Sequence, residues 1–163
     1  MREETVVVST EIAATPSTVY QLLTDFSRWT QFIAETRPPA VAPGAAVRGA
    51  TFRAWNRNGP LIWRTTSRIV VAEPGRCFAF KVTLFGRPMA VWRYDITATP
   101  HGCRVTESTR DQRARVLRTL TPLTTGVWDR QARNRRNMET TLTRLRTLAE
   151  GDAFRTGASA DAS

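Results

Sequence analysis

Between Gly44 and Asp111 the chain carries four turn signals: Asn56 to Pro60, Pro74-Gly75, Phe85-Gly86 and Pro100 to Gly102. They delimit five predicted strands, at about 46–55, 61–72, 76–84, 87–99 and 103–111. Consecutive strands joined by short turns form an antiparallel meander, with one face on a core and the other toward water. The alternation indicates the inner face. Phe78, Phe80, Val82 and Leu84 oppose Cys77, Ala79, Lys81 and Thr83, and Ala90, Trp92, Tyr94 and Ile96 oppose Val91, Arg93, Asp95 and Thr97. Trp63, Ile69 and Val71 share a parity with Thr65 and Ser67. Taking the aromatic parity as inward gives a sheet lined by Trp63, Phe80, Trp92 and Tyr94 that needs a helix to cover it. In the first of these strands Phe52 and Trp55 fall on opposite faces, and one of them points outward unless a bulge intervenes.

The covering helix is predicted from Pro122 to Glu150. At about 100° per residue, Thr124, Val127, Gln131, Asn134, Met138, Leu142, Leu145 and Ala149 fall near one line, with Trp128 at its edge. The second half of this stripe is ordinary core. The first half carries Thr124, Gln131 and Asn134, and polar groups facing inward are costly unless they meet water or a ligand. That half reads as a cavity wall; the alternative is an overhang facing solvent. Ahead of the meander, a strand is predicted at about 4–13. A helix follows over about 16–26, with Thr15 as cap and Pro16 at its first position. A second short helix, capped by Ser27 and ended by Arg37-Pro38-Pro39, holds Trp29, Phe32 and Ile33. Gly151 is expected to end the long helix and 151–163 to form a disordered tail.

Length and composition predict a single domain over 1–150 with a real core. The start of the chain runs directly into a strand pattern, so no secretory signal is expected, and no apolar run approaches a membrane span. A cytoplasmic setting is the expectation, with Cys77 and Cys103 free. The formal charge of +10 raises nucleic acid or an anionic surface as a partner. Yet Lys81 is the only lysine, so the charge is an arginine skew that codon bias explains. Nucleic-acid binding is the least favoured reading, and it predicts a steep salt dependence.

The order strand, two short helices, five meandering strands and a long C-terminal helix resembles the helix-grip fold of the START/birch-pollen-allergen-like superfamily (SRPBCC). The likeness is to its bacterial branch of polyketide cyclase/dehydrase and lipid transport proteins. It rests on Ile12-Ala13-Ala14-Thr15-Pro16-Ser17-Thr18-Val19-Tyr20 through Leu23-Thr24-Asp25, Asn56-Arg57-Asn58-Gly59, Trp63-Arg64-Thr65-Thr66-Ser67, Glu73-Pro74-Gly75-Arg76, Trp92-Arg93-Tyr94 and Val105-Thr106-Glu107-Ser108. The resemblance implies an α+β fold in which an antiparallel sheet of six or seven strands wraps the last helix around an elongated cavity. It also implies a hydrophobic ligand, a lipid or polyketide, and in some members cyclisation or dehydration of that ligand.

Candidate chemistry is sparse. His101 is the only histidine and sits in a turn, so neither a triad nor a zinc site has its parts, and no metal or cofactor is expected. Glu107 shares the parity of Cys103, Val105 and Thr109. Facing inward, it is a candidate acid/base with a raised pKa, with Tyr94 as hydrogen-bond donor. The alternative is an ion pair with Arg53 or Arg93. Trp55, Trp63, Phe80, Trp92, Thr124, Trp128, Gln131 and Asn134 are candidate ligand contacts, the tryptophans being equally suited to core filling. Phe32 and Ile33 are candidate gate residues or simply the buried face of their helix. Monomer and homodimer are both compatible with the sequence. Two functions remain: a module binding a hydrophobic molecule, and a polyketide cyclase or dehydratase using Glu107 and Tyr94.

Overall fold

The computed structural model describes residues 5–33, 36–40, 46–58, 60–113 and 130–160. Strand β1 (Thr5–Ile12) leads into helix α1 (Pro16–Thr24), a 3-10 turn (Phe26–Arg28) and α2 (Trp29–Phe32). Strands β2 (Thr36–Ala40), β3 (Thr51–Asn58), β4 (Leu61–Glu73), β5 (Cys77–Leu84), β6 (Arg87–Thr99) and β7 (Gly102–Asp111) follow, and then α3 (Arg130–Ala160). The seven strands form one antiparallel sheet in the order β1-β7-β6-β5-β4-β3-β2. With α3 packed on β1, β7, α1 and α2, this is the expected α+β helix-grip arrangement.

Local chemistry explains the starts. Thr15 Oγ1 accepts from the Thr18 amide and caps α1, with Pro16 at the first position. Asp25, rather than Ser27, caps the next turn by accepting from the Ser27 amide. Arg37-Pro38-Pro39, expected only to stop a helix, lies instead in β2, which pairs with β3 at the sheet edge. Proline donates no backbone hydrogen bond, so an edge is where a strand tolerates it.

Two bulges shape the sheet. On β4, Ile69 pairs with Phe80 and Val71 with Ala79, leaving Val70 as the extra residue. The parity of β4 therefore reverses there: Ala72, not Val71, packs on the core. On β6, Met89 is the extra residue opposite Val82 and Thr83, and it is buried. Cys77 and Ala79, on the outward parity of β5, are buried too, beside their cross-strand neighbours Asp95 and Arg93.

The core is concentrated at one pole, where α1 and α2 meet the second half of α3. Phe26, Trp29, Phe52, Phe78 and Phe80 form an aromatic cluster with successive ring centroids 4.8–6.3 Å apart. Trp29 Nε1 donates to the Leu23 carbonyl at 3.0 Å, satisfying its buried polar atom. Leu142, Leu145 and Ala149 from α3 join Val19, Leu22, Leu23 and Val105 in the same cluster. Cys77 and Cys103 are free and buried, and burial pushes both thiols up, Cys77 to about 11.

Helix α3 does not stop at Gly151; it runs on to Ala160, where a disordered tail was expected. Glycine inside a helix costs about 1 kcal/mol relative to alanine, which tertiary contacts offset here. Glu150 Oε1 accepts from the Ala13 amide at 3.0 Å, Asp152 pairs with Arg28 at 2.6 Å, and Ala153 packs on the core. The predicted start of the helix, including Thr124 and Trp128, lies outside the described residues. No described helix is long and apolar enough to cross a membrane.

Candidate functional site

Beside the aromatic ring cluster, between the sheet and the first half of α3, lie two adjoining chambers, each of about 110 Å³. Both are bordered by Asn56, Thr65, Val82 and Trp92. The outer chamber opens between the start of β1, the ends of β5 and β7 and the first turns of α3, with Trp63, Met89, Thr109, Asp111, Gln131 and Asn134 in its wall. The inner chamber is floored by the rings of Trp29, Phe52 and Phe80, with Ile33, Tyr94, Glu107, Asn137, Met138 and Thr141 around it.

Strand pairing builds the deep end. Tyr94 and Glu107 are directly opposite on β6 and β7, both on the inward parity. Tyr94 Oη donates to Glu107 Oε1 at 2.8 Å, and Glu107 is 2% exposed. Its other oxygen, Oε2, is buried with no hydrogen-bond partner, and so are Thr109 Oγ1 and Asn137 Nδ2. Burial pushes the Glu107 carboxyl up to about 8, against the smaller opposite pull of the Tyr94 hydrogen bond. Burial and the neighbouring carboxyl hold the Tyr94 phenol well above its ordinary value of 10, so it stays neutral. Among the described residues Glu107 makes no ion pair with Arg53 or Arg93. Arg93 pairs with Asp95 on the outer face at 2.7 Å, and Arg53 lies exposed on the outward parity of β3.

The remaining candidates divide. Trp63, Phe80, Trp92, Gln131 and Asn134 line the chambers. Trp55 does not: it is 48% exposed on the outer face, where the Arg64 guanidinium stands 5.8 Å from its ring centroid. Phe52, on the opposite parity, is the residue that points in. Phe32 is 0% exposed within the core, so of the two gate candidates only Ile33 reaches a chamber. His101 is exposed in its turn.

Several chamber residues escaped the sequence reading, Asn56, Met89, Asn137 and Thr141 among them. Asn56, assigned there to a turn, lies in β3 and donates to Thr65 Oγ1 at 3.0 Å between the chambers. Met89 enters through the bulge. Asn137 and Thr141 sit about 100° and 60° from Met138 on the helix wheel, outside a narrow stripe. A helix gripped by a sheet buries a wider arc, and three-residue spacing from Asn134 was the signal that marked Asn137.

Several solved structures share this fold. A polyketide-cyclase-like protein of Corynebacterium glutamicum aligns with a TM-score of 0.63 at 24% identity, over 93% of this chain and 94% of that one. A protein of Chromobacterium violaceum aligns at 0.68 and 12% identity, over 90% and 98%. The di-domain ARO/CYC protein StfQ of the steffimycin biosynthetic pathway aligns at 0.69 and 15% identity, over 94% of this chain and 51% of that one. The chain thus spans about half of StfQ. No curated protein matches it in sequence. Residues 3–150 match the family described as polyketide cyclase / dehydrase and lipid transport, and the chain belongs to that family.

Proposed function

We propose that this protein binds a hydrophobic small molecule, a lipid or polyketide-like compound, in the paired chambers between sheet and helix. The observation that carries this reading is an aromatic-floored chamber that ends in buried polar atoms without partners. Aromatic walls bind flat apolar surface, and a few fixed polar groups orient it. At about 110 Å³ the inner chamber takes a ring or two, so a longer molecule extends into the outer chamber, past Gln131 and Asn134. The two free, buried thiols fit a cytoplasmic setting. Five of the arginines, Arg28, Arg93, Arg104, Arg113 and Arg155, hold carboxylates of the chain itself.

Native mass spectrometry of protein purified gently from its host, followed by extraction, tests this directly. A stoichiometric hydrophobic adduct supports it. Protein that is empty and unresponsive to lipids and aromatic polyketides refutes it.

A second reading, cyclisation or dehydration of the bound molecule, is favoured by the Tyr94–Glu107 pair. A carboxyl at about 8 is mostly protonated near neutrality and exchanges its proton readily. Glu107 would give a proton to a departing hydroxyl or carbonyl oxygen, while Tyr94 holds the carboxyl in place. Glu107→Gln should then abolish turnover and leave affinity within about threefold. Retained turnover in this variant and in Tyr94→Phe removes the assignment.

A further inference from the structure

The deep end of the inner chamber constrains the ligand beyond its being hydrophobic. Tyr94 Oη donates to Glu107 Oε1, which fixes that oxygen as an acceptor. In the neutral carboxyl the proton then resides on Oε2, the atom left without a partner. Asn137 adds an unpartnered Nδ2 donor from α3. Both residues line the inner chamber, and none of its described lining residues is Lys, Arg or His. Donors without a cation suit an uncharged acceptor. An ionised carboxylate would be desolvated against apolar rings with no opposite charge to meet it.

We propose that the inner chamber selects a ligand whose leading end is a neutral hydrogen-bond acceptor, a ketone or quinone carbonyl, met by Glu107 Oε2–H and Asn137 Nδ2–H, and rejects carboxylate-ended lipids. This rests on the cavity reading above and narrows it. The ring floor of Trp29, Phe52 and Phe80 takes the flat body to which such a carbonyl is attached.

Selection of this kind is sensitive to pH, because an ionised Glu107 offers a carbonyl nothing but repulsion. The groups packed around the carboxyl leave it as the titrating element. Tyr94 on β6 is neutral, Val8 on β1 is its cross-strand neighbour, and Asn137, Met138 and Thr141 of α3 line the same chamber. Thr65, Ser67 and Phe80 approach from β4 and β5. The outer chamber carries Arg133, and Asp111, which is paired with Arg113 at 2.5 Å.

The test compares three probes of one shape, 2-acetylnaphthalene, 2-ethylnaphthalene and 2-naphthoate, by tryptophan-fluorescence titration at pH 7. The ketone should bind roughly tenfold more tightly than the ethyl compound, as one recovered hydrogen bond requires, and the carboxylate at least about a hundredfold more weakly than the ketone. As the pH rises through about 8 the ketone's affinity for the wild type should fall about tenfold, toward that of the ethyl compound. Glu107→Gln keeps a donor that cannot ionise, so its profile should stay flat. Asn137→Leu, on a different element, should erase much of the ketone's advantage over the ethyl compound. Equal binding of ketone and ethyl probes, or a pH profile identical in wild type and E107Q, overturns the proposal while leaving the cavity reading intact. Tighter binding of 2-naphthoate overturns it as well. Failure of all three probes overturns both.

Discussion

Replacing Glu107 with glutamine should stabilise the protein, and the gain should grow with pH. The carboxyl titrates near 4.5 when unperturbed and at about 8 in the folded chain, where burial dominates. Between those values the folded state binds the extra proton, so the slope of unfolding free energy against pH is negative. Stability that depends on the neutral acid is complete below about 4.5 and lost as the pH rises through about 8. A gap of about 3.5 units at about 1.4 kcal/mol each sets a ceiling of about 5 kcal/mol. Glutamine matches the volume, keeps an acceptor for the Tyr94 hydroxyl and never ionises. The variant should therefore equal the wild type near pH 5 and exceed it by about 3–5 kcal/mol at pH 9. For a domain of this size that is a Tm difference of about 10 °C. Urea unfolding of both proteins at pH 5, 7 and 9, followed by tryptophan fluorescence, measures it. Every other titrating group is shared, so the difference between the curves isolates this carboxyl. A pH-independent offset, or a wild type that gains on the variant as pH rises, refutes the reasoning.

Three further outcomes follow from other parts of the fold. Trp92→Ala should weaken binding of an aromatic probe by about tenfold, whereas Trp55→Ala, on the outer face, should leave it unchanged; a fluorescence titration separates the two. Phe85, with φ of 49° and 95% exposure, occupies the first position of a two-residue turn whose second residue, Gly86, has φ of 76°. Phe85→Asn should raise stability by about 0.5–1 kcal/mol, read as a higher Tm, because asparagine suits this left-handed turn and no buried contact is lost. Arg28→Ala should cost about 1 kcal/mol and speed amide exchange over residues 151–156, since Arg28 holds Asp152 with both side chains about a quarter exposed.

What could be read from the chain was periodic and local. Period-two alternation placed Tyr94 and Glu107 on one face before any contact was known, and their register then made them neighbours. The same rule failed at Val71, because one extra residue at Val70 reverses the face and nothing in Ile-Val-Val-Ala marks it. The parity of Phe52 and Trp55 was undecidable locally, since both are aromatic and only one could reach the ring cluster. Gly151 carried a stop signal that distant partners overrode: Arg28 and Ala13 hold the helix on either side of it. Asn137 lies about 100° from Met138, outside a one-line stripe, because a helix gripped by a sheet buries a wider arc. The orphaned atoms at the deep end were illegible in principle, for a missing hydrogen bond is a property of three strands and a helix together.

The placement of the two cysteines has a practical consequence. Cys77 and Cys103 are buried, with their thiols held up by burial, and neither of them lines a chamber. An alkylating reagent therefore reaches them only when the fold opens, and its rate is a clock for that opening. A molecule in the chambers touches neither sulfur atom. Any slowing it causes must arise through mass action on the folded state, about a hundredfold at a concentration of about 100 Kd. Thiol labelling thus turns occupancy of the chambers into a rate read at sulfur atoms outside them, with no need for the ligand to absorb, fluoresce or react.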